Sequence, residues 1–288
     1  MTTRLSLWVS RPADRVLRRI DWARWRAPVR LGLSVLGLTT LVVVFVGRAP
    51  GFDFYAYWAV DPSNPYRVVD GLGAFHYAPP LVWLAGPLRY LSFEAGYVMW
   101  TAVMVGLLMF MTRSWALAWC AFPPVASELF HGNVHLLIAA ALVVGFRYSA
   151  VWAVLPLAKV TTGVILIWPL VRREWGRLAV AVGSGVVVFL LSLAIQGVEL
   201  WTTWIDHLAV RSAQPEDGGA LIDVSLLLRL PMAIAIAMWG SRTNRSWSMP
   251  VAVTLAMPLL WFHSFAVLVA LQATWGIRPG REAARPTG

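Results

Sequence analysis

The chain has 288 residues, of which 59% are hydrophobic and 13% charged, and its mean hydropathy is +0.66. Soluble globular domains carry about 25% charged residues, so this composition excludes an ordinary soluble domain. Apolar runs recur along the whole chain without alternation, which predicts an all-α polytopic membrane protein and argues against a transmembrane β-barrel. The net charge of +10 does not indicate a nucleic-acid partner, because the arginines lie between apolar segments, where orientation signals belong.

The N-terminal segment is strongly basic. Residues 1–30 carry eight arginines, which makes the segment too long and too charged for a signal peptide. Basic segments stay on the cytoplasmic side, so we expect a multi-pass plasma-membrane protein with a cytoplasmic N-terminus. Residues 16–25 fit an interfacial helix or a plain basic tail. The expected organisation is a basic cytoplasmic segment at 1–30, one membrane domain at 31–277 with outer loops at 48–92 and 197–222, and a cytoplasmic tail at 278–288.

About eight to ten membrane segments are expected from the apolar runs, since a full crossing needs about 20 residues. Residues 150–159 and 161–171 are too short to cross, and we interpret them as half-helices that meet near Lys159. Residues 78–91 contain three prolines and are expected to form a juxtamembrane helix at the outer surface. The remaining predicted segments are 31–47, 93–112, 115–130, 134–146, 178–196, 224–240, 250–261 and 264–275.

Two carboxylates follow the first apolar segment. Asp53, in GFDFYAYW, has aromatic residues on both sides, and partial desolvation there would raise its pKa. A raised pKa suits a general base, while the alternative is an acid that caps a short helix. Asp61 opens DPSNPY, which predicts an Asx-turn before Pro62.

Several other polar residues lie in or beside apolar segments, where they are functional candidates. Lys159 is the only lysine, and it could either bind a phosphate between two half-helices or extend its charge to the interface. His263 is either an anchor in an aromatic belt or a ligand for phosphate or acceptor. Residues 131–133 (HGN) could be a simple turn between helices. Glu128, His135 and His207 belong to a larger set of outer-face candidates, many of which lie in loops, where the alternative is a solvated charge. The sequence has no metal-binding motif, so we expect no metal site and no cofactor.

A series of short motifs follows in order along the chain. The motifs are DFYAYW (53–58), NPY (64–66), FHYAPPLVWLAGPLRYLS (75–92), HGN (131–133), LAK (157–159), WPLVRREW (168–175), VSLLLRL (224–230) and MPLLWFH (257–263). No single motif is specific, but their order and spacing over residues 31–272 resemble those of glycosyltransferase family 87 of the GT-C superfamily. Members of this family include α-mannosyltransferases dependent on polyprenol-phosphate mannose.

The resemblance implies a GT-C-like helical bundle and a membrane enzyme. Its donor would be a polyprenyl-phosphate sugar, with mannose expected, and its acceptor a lipid-linked or cell-envelope glycan. Transfer would occur at the outer face by an inverting displacement without metal, and Asp53 would be the catalytic base. The residues expected to bind substrate are Tyr57, His76, Tyr77, Asn133, Lys159 and His263.

Some features depart from the family. The chain is shorter than usual, His131-Gly-Asn replaces a Gly-Gln pair, and Asp223-Val224 stands where a polar run is expected. These departures leave open an inactive paralogue that assembles with an envelope enzyme. A lipid or solute transporter is the other alternative, although neither an internal repeat nor a carboxylate in the middle of a span is evident.

Overall fold

The computed structural model describes residues 22–213 and 224–275, and every regular element in these two ranges is helical. The α-helices are α1 Trp22–Phe45, α2 Phe52–Trp58, α3 Pro80–Ala85, α4 Phe93–Thr112, α5 Ala116–Trp119, α6 Pro123–His131, α7 His135–Gly145, α8 Val154–Ala158, α9 Ile167–Val171, α10 Trp175–Gln196, α11 Val198–Ala213, α12 Leu226–Arg242, α13 Ser248–Leu255 and α14 Ala270–Thr274. The 3₁₀ helices are Gly86–Tyr90, Arg113–Trp115, Ser149–Ala153, Val160–Leu166 and Phe262–Val269. The predicted all-α class is therefore confirmed.

Three helical runs in the described ranges are long and apolar enough to cross a membrane, namely Arg24–Phe45, Phe93–Trp119 and Trp175–Gln196. Most of their side chains face outward from the protein, which is stable when the surrounding medium is lipid. The pair formed by α6 and α7 would add a fourth, broken span. A polytopic membrane protein is thus confirmed, whereas the expected total of eight to ten segments stays a prediction.

The region before the α6–α7 break differs from the prediction of one span over residues 115–130. The helical run of α4 continues through the 3₁₀ turn and α5 to Trp119, and a new helix begins at Pro123. Proline favours the first position of a helix, because that position needs no backbone N–H donor. The helix axis then bends by 111° between α6 and α7. The predicted continuous span was wrong, but the predicted break at residues 131–133 is confirmed.

Residues 150–171 form the expected pair of short helical segments. A 3₁₀ turn and α8 end at Ala158, and a second 3₁₀ turn followed by α9 begins at Val160. Lys159 between them has an extended backbone with φ −149° and ψ 112°. Lys159 therefore lies at the break and belongs to neither helical segment.

The segments expected as outer loops contain helices. Residues 48–92 include α2, α3 and a 3₁₀ turn, and α11 occupies the first part of 197–222. Helix α1 begins at Trp22, so the last residues of the basic segment 1–30 continue into the first span. The rest of that basic segment, most of the possible interfacial helix, the acids near 216–223 and the tail 278–288 lie outside the described residues.

The buried centre of the molecule is the α6–α7 pair. Seven consecutive residues of α6, Pro124 to Phe130, are buried, and so is most of α7. Both helices pack against the 3₁₀ helix Phe262–Val269, and α2 lies against α6. The break between α6 and α7 therefore faces the start of the last helical segment and the short helix that carries Asp53.

Candidate active site

The short helix α2 holds Asp53 over the break between α6 and α7. Gly51 starts this helix with φ +88°, and its N–H donates to the Phe130 carbonyl at 2.8 Å. The Phe54 ring is fully buried and packs against Tyr97, with ring centroids 5.8 Å apart. A backbone hydrogen bond and a buried aromatic anchor thus fix the helix on either side of Asp53.

Asp53, Asn133 and His263 meet in one cluster. The Asn133 Nδ2 group donates to Asp53 Oδ2 at 2.9 Å, and His263 Nε2 lies 3.3 Å from the same oxygen. The distance between Asn133 Nδ2 and His263 Nε2 is also 3.3 Å. Asp53 lies in the first turn of α2, but its carboxylate turns toward these side chains, so the capping alternative is wrong.

The backbone at the break determines how Asn133 is oriented. Gly132 ends α6 with φ +71°, and a Cβ atom there would lie 2.8 Å from Phe54 Cβ. Asn133 follows directly, and its Oδ1 accepts the Val134 N–H at 2.7 Å. Because the amide oxygen is engaged in this way, the amide NH₂ group is directed at Asp53.

The His263 ring is held between other aromatic rings. Its centroid lies 5.1 Å from that of His131 in a stacked arrangement and 5.2 Å from that of His135. Its side chain is only 10% exposed, whereas that of Asp53 is 22% exposed. His263 is thus held rigidly, while the carboxylate remains accessible to a small group.

The environment of Asp53 favours a stronger base than an ordinary aspartate. Burial raises the pKa of Asp53, and the Asn133 hydrogen bond and the nearby charges of His131 and Lys159 offset part of this rise. A carboxylate with a raised pKa is better suited to remove a proton near neutral pH, because a general base is most efficient when its pKa lies near the operating pH.

Tyr57 and Tyr77 lie beside this cluster. Their hydroxyl oxygens are 2.7 Å apart, and the Tyr57 ring packs on Trp100 with centroids 5.2 Å apart. Burial raises the pKa of both phenols well above the ordinary value, so both hydroxyls are neutral. Lys159 is near enough to interact electrostatically with Asp53.

His76 has a different set of partners from the Asp53 cluster. Its Nδ1 lies 2.9 Å from His207 Nε2, the two rings stack, and Trp204 Nε1 donates to the His76 carbonyl. Burial and the neighbouring His207 lower the pKa of His76 to about 4, so this imidazole is neutral at pH 7. His76 therefore ties the loop after α2 to α11, and its expected role in substrate binding stays a prediction.

Two fully buried residues next to the cluster, Glu128 and His135, were not among the predicted site residues. Neither is exposed at all, so neither is a solvated loop charge. Glu128 Oε2 lies 2.9 Å from His135 Nδ1. The signal available in the sequence was an acid and a histidine flanking HGN inside apolar segments, where ionisable groups are costly.

Glu128, His135 and His263 could in principle hold a metal ion, because their ligand atoms all lie within 4.8 Å of one another. Two imidazoles and one carboxylate form a ligand set that zinc uses. However, both oxygens of Glu128 already accept hydrogen bonds, and His135 Nδ1 takes part in one of them. The arrangement therefore fits a hydrogen-bonded pair better than a ligand set, and the expectation of no metal stays a prediction.

A separate cleft of about 640 Å³ opens elsewhere on the described surface. It lies between the 62–65 turn, the 82–90 segment and the junction of α10 with α11. Asp53, Asn133 and His263 do not line it. Arg89, Tyr90 and Glu199 are among the residues that line this cleft, whereas the candidate active site is the buried polar cluster, where a carboxylate is held by an amide and an imidazole.

An all-helical chain with several lipid-compatible helices and a carboxylate held at a helix break defines a polytopic membrane protein with a GT-C-like bundle. The sequence model of Glycosyltransferase family 87 matches residues 75–286, and the chain belongs to this family. The family resemblance found in the sequence is therefore confirmed, although the match begins after Asp53 and Tyr57. Neither the curated proteins nor the solved structures contain a match to this chain.

Proposed function

We propose that this glycosyltransferase moves a mannosyl group from a polyprenyl-phosphate donor to a lipid-linked or cell-envelope glycan at the outer face of the plasma membrane. The observation that supports this most is the Asp53 carboxylate, held by Asn133 and His263 on a short helix beside the first span. The arginine distribution along the sequence supports a cytoplasmic N-terminus and an outer position for this helix.

The proposed reaction is a single inverting displacement without metal. Asp53 accepts the proton of the acceptor hydroxyl as its oxygen forms a bond to the anomeric carbon of the donor sugar. The bond between that carbon and the phosphate oxygen breaks, and polyprenyl phosphate leaves with the electron pair. The raised pKa of Asp53 supports its role as the base.

Charge on the leaving phosphate needs a cationic or hydrogen-bonding partner in the site. We assign this role to Lys159, with His263 as a second polar group. Lys159 interacts electrostatically with Asp53 and Glu128, which supports a position close to the reacting atoms. Tyr57, Tyr77 and Asn133 would contact the sugar, because hydroxyl and amide groups match its hydroxyls and aromatic faces pack on its ring.

The two alternatives fit these observations less well. An inactive paralogue would be favoured by an Asp53 buried in a strong ion pair, but its nearest partners are an amide and an imidazole, and its side chain is 22% exposed. A transporter would use paired ionisable groups in the middle of a span. The buried Glu128 and His135 are a pair of ionisable groups, but they lie at the helix break beside the Asp53 cluster, and membership of a glycosyltransferase family favours transfer.

The donor is tested by sugar transfer in membranes that contain this protein, using radiolabelled polyprenyl-phosphate mannose beside polyprenyl-phosphate arabinose. We expect incorporation of mannose into a lipid or glycan fraction, and none in membranes without the protein. Incorporation of arabinose alone would keep the reaction class and overturn the sugar. Incorporation of neither would overturn the proposed donor class.

A further inference from the structure

We propose that Glu128 and His135 form a positioning pair that holds Asn133 and His263 in place against Asp53. This inference rests on the proposed function of Asp53 as the catalytic base. In the described part of the chain, neither residue is hydrogen-bonded to the Asp53 carboxylate, whose partners are Asn133 and His263, so the pair acts through these two neighbours.

Glu128 bridges the break between α6 and α7. Its Oε1 accepts the backbone N–H of His135 at 2.5 Å and that of Leu136 at 3.3 Å. These are the first two N–H groups of α7, which the helix itself leaves without partners. A carboxylate on α6 thus caps α7 across the break and fixes the conformation of residues 132–134 between them. Asn133, the donor to Asp53, lies in that segment.

The second oxygen of Glu128 orients His135. Oε2 lies 2.9 Å from His135 Nδ1. In the proposed pair Glu128 is ionised, and an ionised carboxylate can only accept a hydrogen bond. In that state the proton of a neutral imidazole lies on Nδ1, and Nε2 is left as an acceptor. His135 Nε2 lies 3.3 Å from Ser264 Oγ, so it can accept the hydroxyl proton of Ser264.

His135 in turn supports His263. Ser264 is the residue after His263, and the rings of His135 and His263 have centroids 5.2 Å apart. The start of the last helical segment is therefore held by a hydrogen bond and by a ring contact. Both polar neighbours of Asp53 are thus positioned by the same pair, one through the α6–α7 break and the other through the ring of His135.

Glu128→Gln tests the pair with little change in volume. Glutamine retains a carbonyl oxygen for the N–H groups of α7, but its NH₂ group cannot accept from His135 Nδ1. His135 then has to accept through Nδ1 and carry its proton on Nε2. Glu94→Gln is the matched control, because Glu94 is an exposed acid in the first turn of α4.

The first readout is nitrogen NMR of the full-length protein labelled with ¹⁵N-histidine in nanodiscs. The chain has five histidines, and single substitutions assign their signals. We expect a protonated Nδ1 for His135 in the wild type and an unprotonated Nδ1 in Glu128→Gln, with a simultaneous change in the His263 signals. Glu94→Gln should leave both residues unchanged. This readout does not depend on the sugar transferred.

The second readout is transfer kinetics. We expect Glu128→Gln to lower kcat about 10-fold or more with a donor KM within about twofold of wild type, because a misplaced group slows the reaction without weakening donor binding. His135→Asn provides a second variant. Its amide NH₂ can still donate to Glu128, so the fold is retained, but the shorter side chain cannot support His263. It should show the same loss of kcat.

Three results would overturn the positioning pair. One is an unprotonated Nδ1 of His135 in the wild type. Another is a folded Glu128→Gln protein with unchanged His263 signals and wild-type kcat. The third is a metal bound at one equivalent in the wild type and lost in Glu128→Gln, which would make the cluster a metal centre. Absence of transfer by the wild type would instead overturn the proposed function, while the NMR measurement would still decide whether the pair exists.

Discussion

At the residue scale, the behaviour of Asp53 depends on a balance between burial and hydrogen bonding. Burial raises its pKa, and the hydrogen bond from Asn133 stabilises the charged form and limits the rise. The same contact fixes the direction of the carboxylate. Changing Asn133 should therefore alter both the pH dependence and the rate.

The first prediction concerns Asn133→Ala. Removing a donor to the charged carboxylate raises the pKa of Asp53 further. A base works only when it is deprotonated, so the acid limb of the pH–activity profile should move to higher pH. The measurement is kcat/KM for sugar transfer as a function of pH. Asn64→Ala, at an exposed loop position, is the control and should not shift the acid limb of the profile. If Asn133→Ala does not shift the acid limb either, then the protonation of Asp53 does not determine that limb.

Sequence reasoning could predict some contacts of the site and not others. Asp61 forms the expected Asx-turn, because its carboxylate accepts from the N–H of Ser63 two residues later at 3.0 Å. Such contacts are local and follow from residue type. The contact of Asp53 with Asn133, 80 positions away, depends on how separate helices pack, and no local pattern encodes it. For the same reason, Glu128 and His135 could be recognised as costly polar residues but not as partners.

At the element scale, the decisive feature is the break between α6 and α7. Gly132 supplies the left-handed conformation that ends α6, and its missing side chain leaves room for Phe54 of α2. A change at Gly132 would therefore affect both the bend between α6 and α7 and the packing of α2, the helix that carries Asp53. The lengths of the apolar runs and the positions of the prolines predicted most elements, including the half-helices around Lys159. The span over 115–130 could not be predicted correctly, because an apolar composition continues through the break at Pro123 and conceals it.

The second prediction concerns Gly132→Ala. The added methyl group meets Phe54 at a distance shorter than van der Waals contact, and φ of +71° is strained for alanine. We expect a loss of about 1–3 kcal/mol of stability and a marked loss of transfer. Thermal unfolding of the purified protein measures the first effect.

The matched control is Gly183→Ala in the middle of α10, where a Cβ atom has open space within 4 Å. This substitution should leave the activity unchanged and keep or slightly raise the Tm, because alanine favours a helix more than glycine does. Equal stability of the two variants would contradict the proposed coupling between the break and α2.

At the scale of the whole molecule, the arrangement of charge and of lipid-compatible helices determines where the site faces. Three long apolar helices within residues 22–213 and 224–275 indicate a membrane protein, and the basic residues of the sequence predict which side each loop occupies. If the N-terminus is cytoplasmic, the loop after α1 and Asp53 with it lie outside. This orientation stays a prediction, and it rests on the distribution of basic residues rather than on packing.

The third prediction tests that orientation by cysteine labelling in intact cells. The natural Cys120 is buried, and it is replaced by serine in the background protein. Asn64→Cys, in the exposed turn after α2, should react with a membrane-impermeant maleimide added from outside. Thr243→Cys, at the exposed end of α12, should react only after the membrane is permeabilised. The reverse pattern would place Asp53 in the cytoplasm and contradict transfer at the outer face.

The most direct test of the whole account compares Asp53→Asn with Asp61→Asn in the sugar-transfer assay. Both changes neutralise an acid in the region after α1 without a change in size. The two acids differ in their contacts, because Asp53 is held by Asn133 and His263, whereas Asp61 forms a surface turn. General-base catalysis contributes about 10²–10⁴-fold, so Asp53→Asn should lose at least about 100-fold in kcat, and Asp61→Asn should remain near wild type. Transfer by a folded Asp53→Asn protein at the wild-type rate would contradict the assignment of the catalytic base.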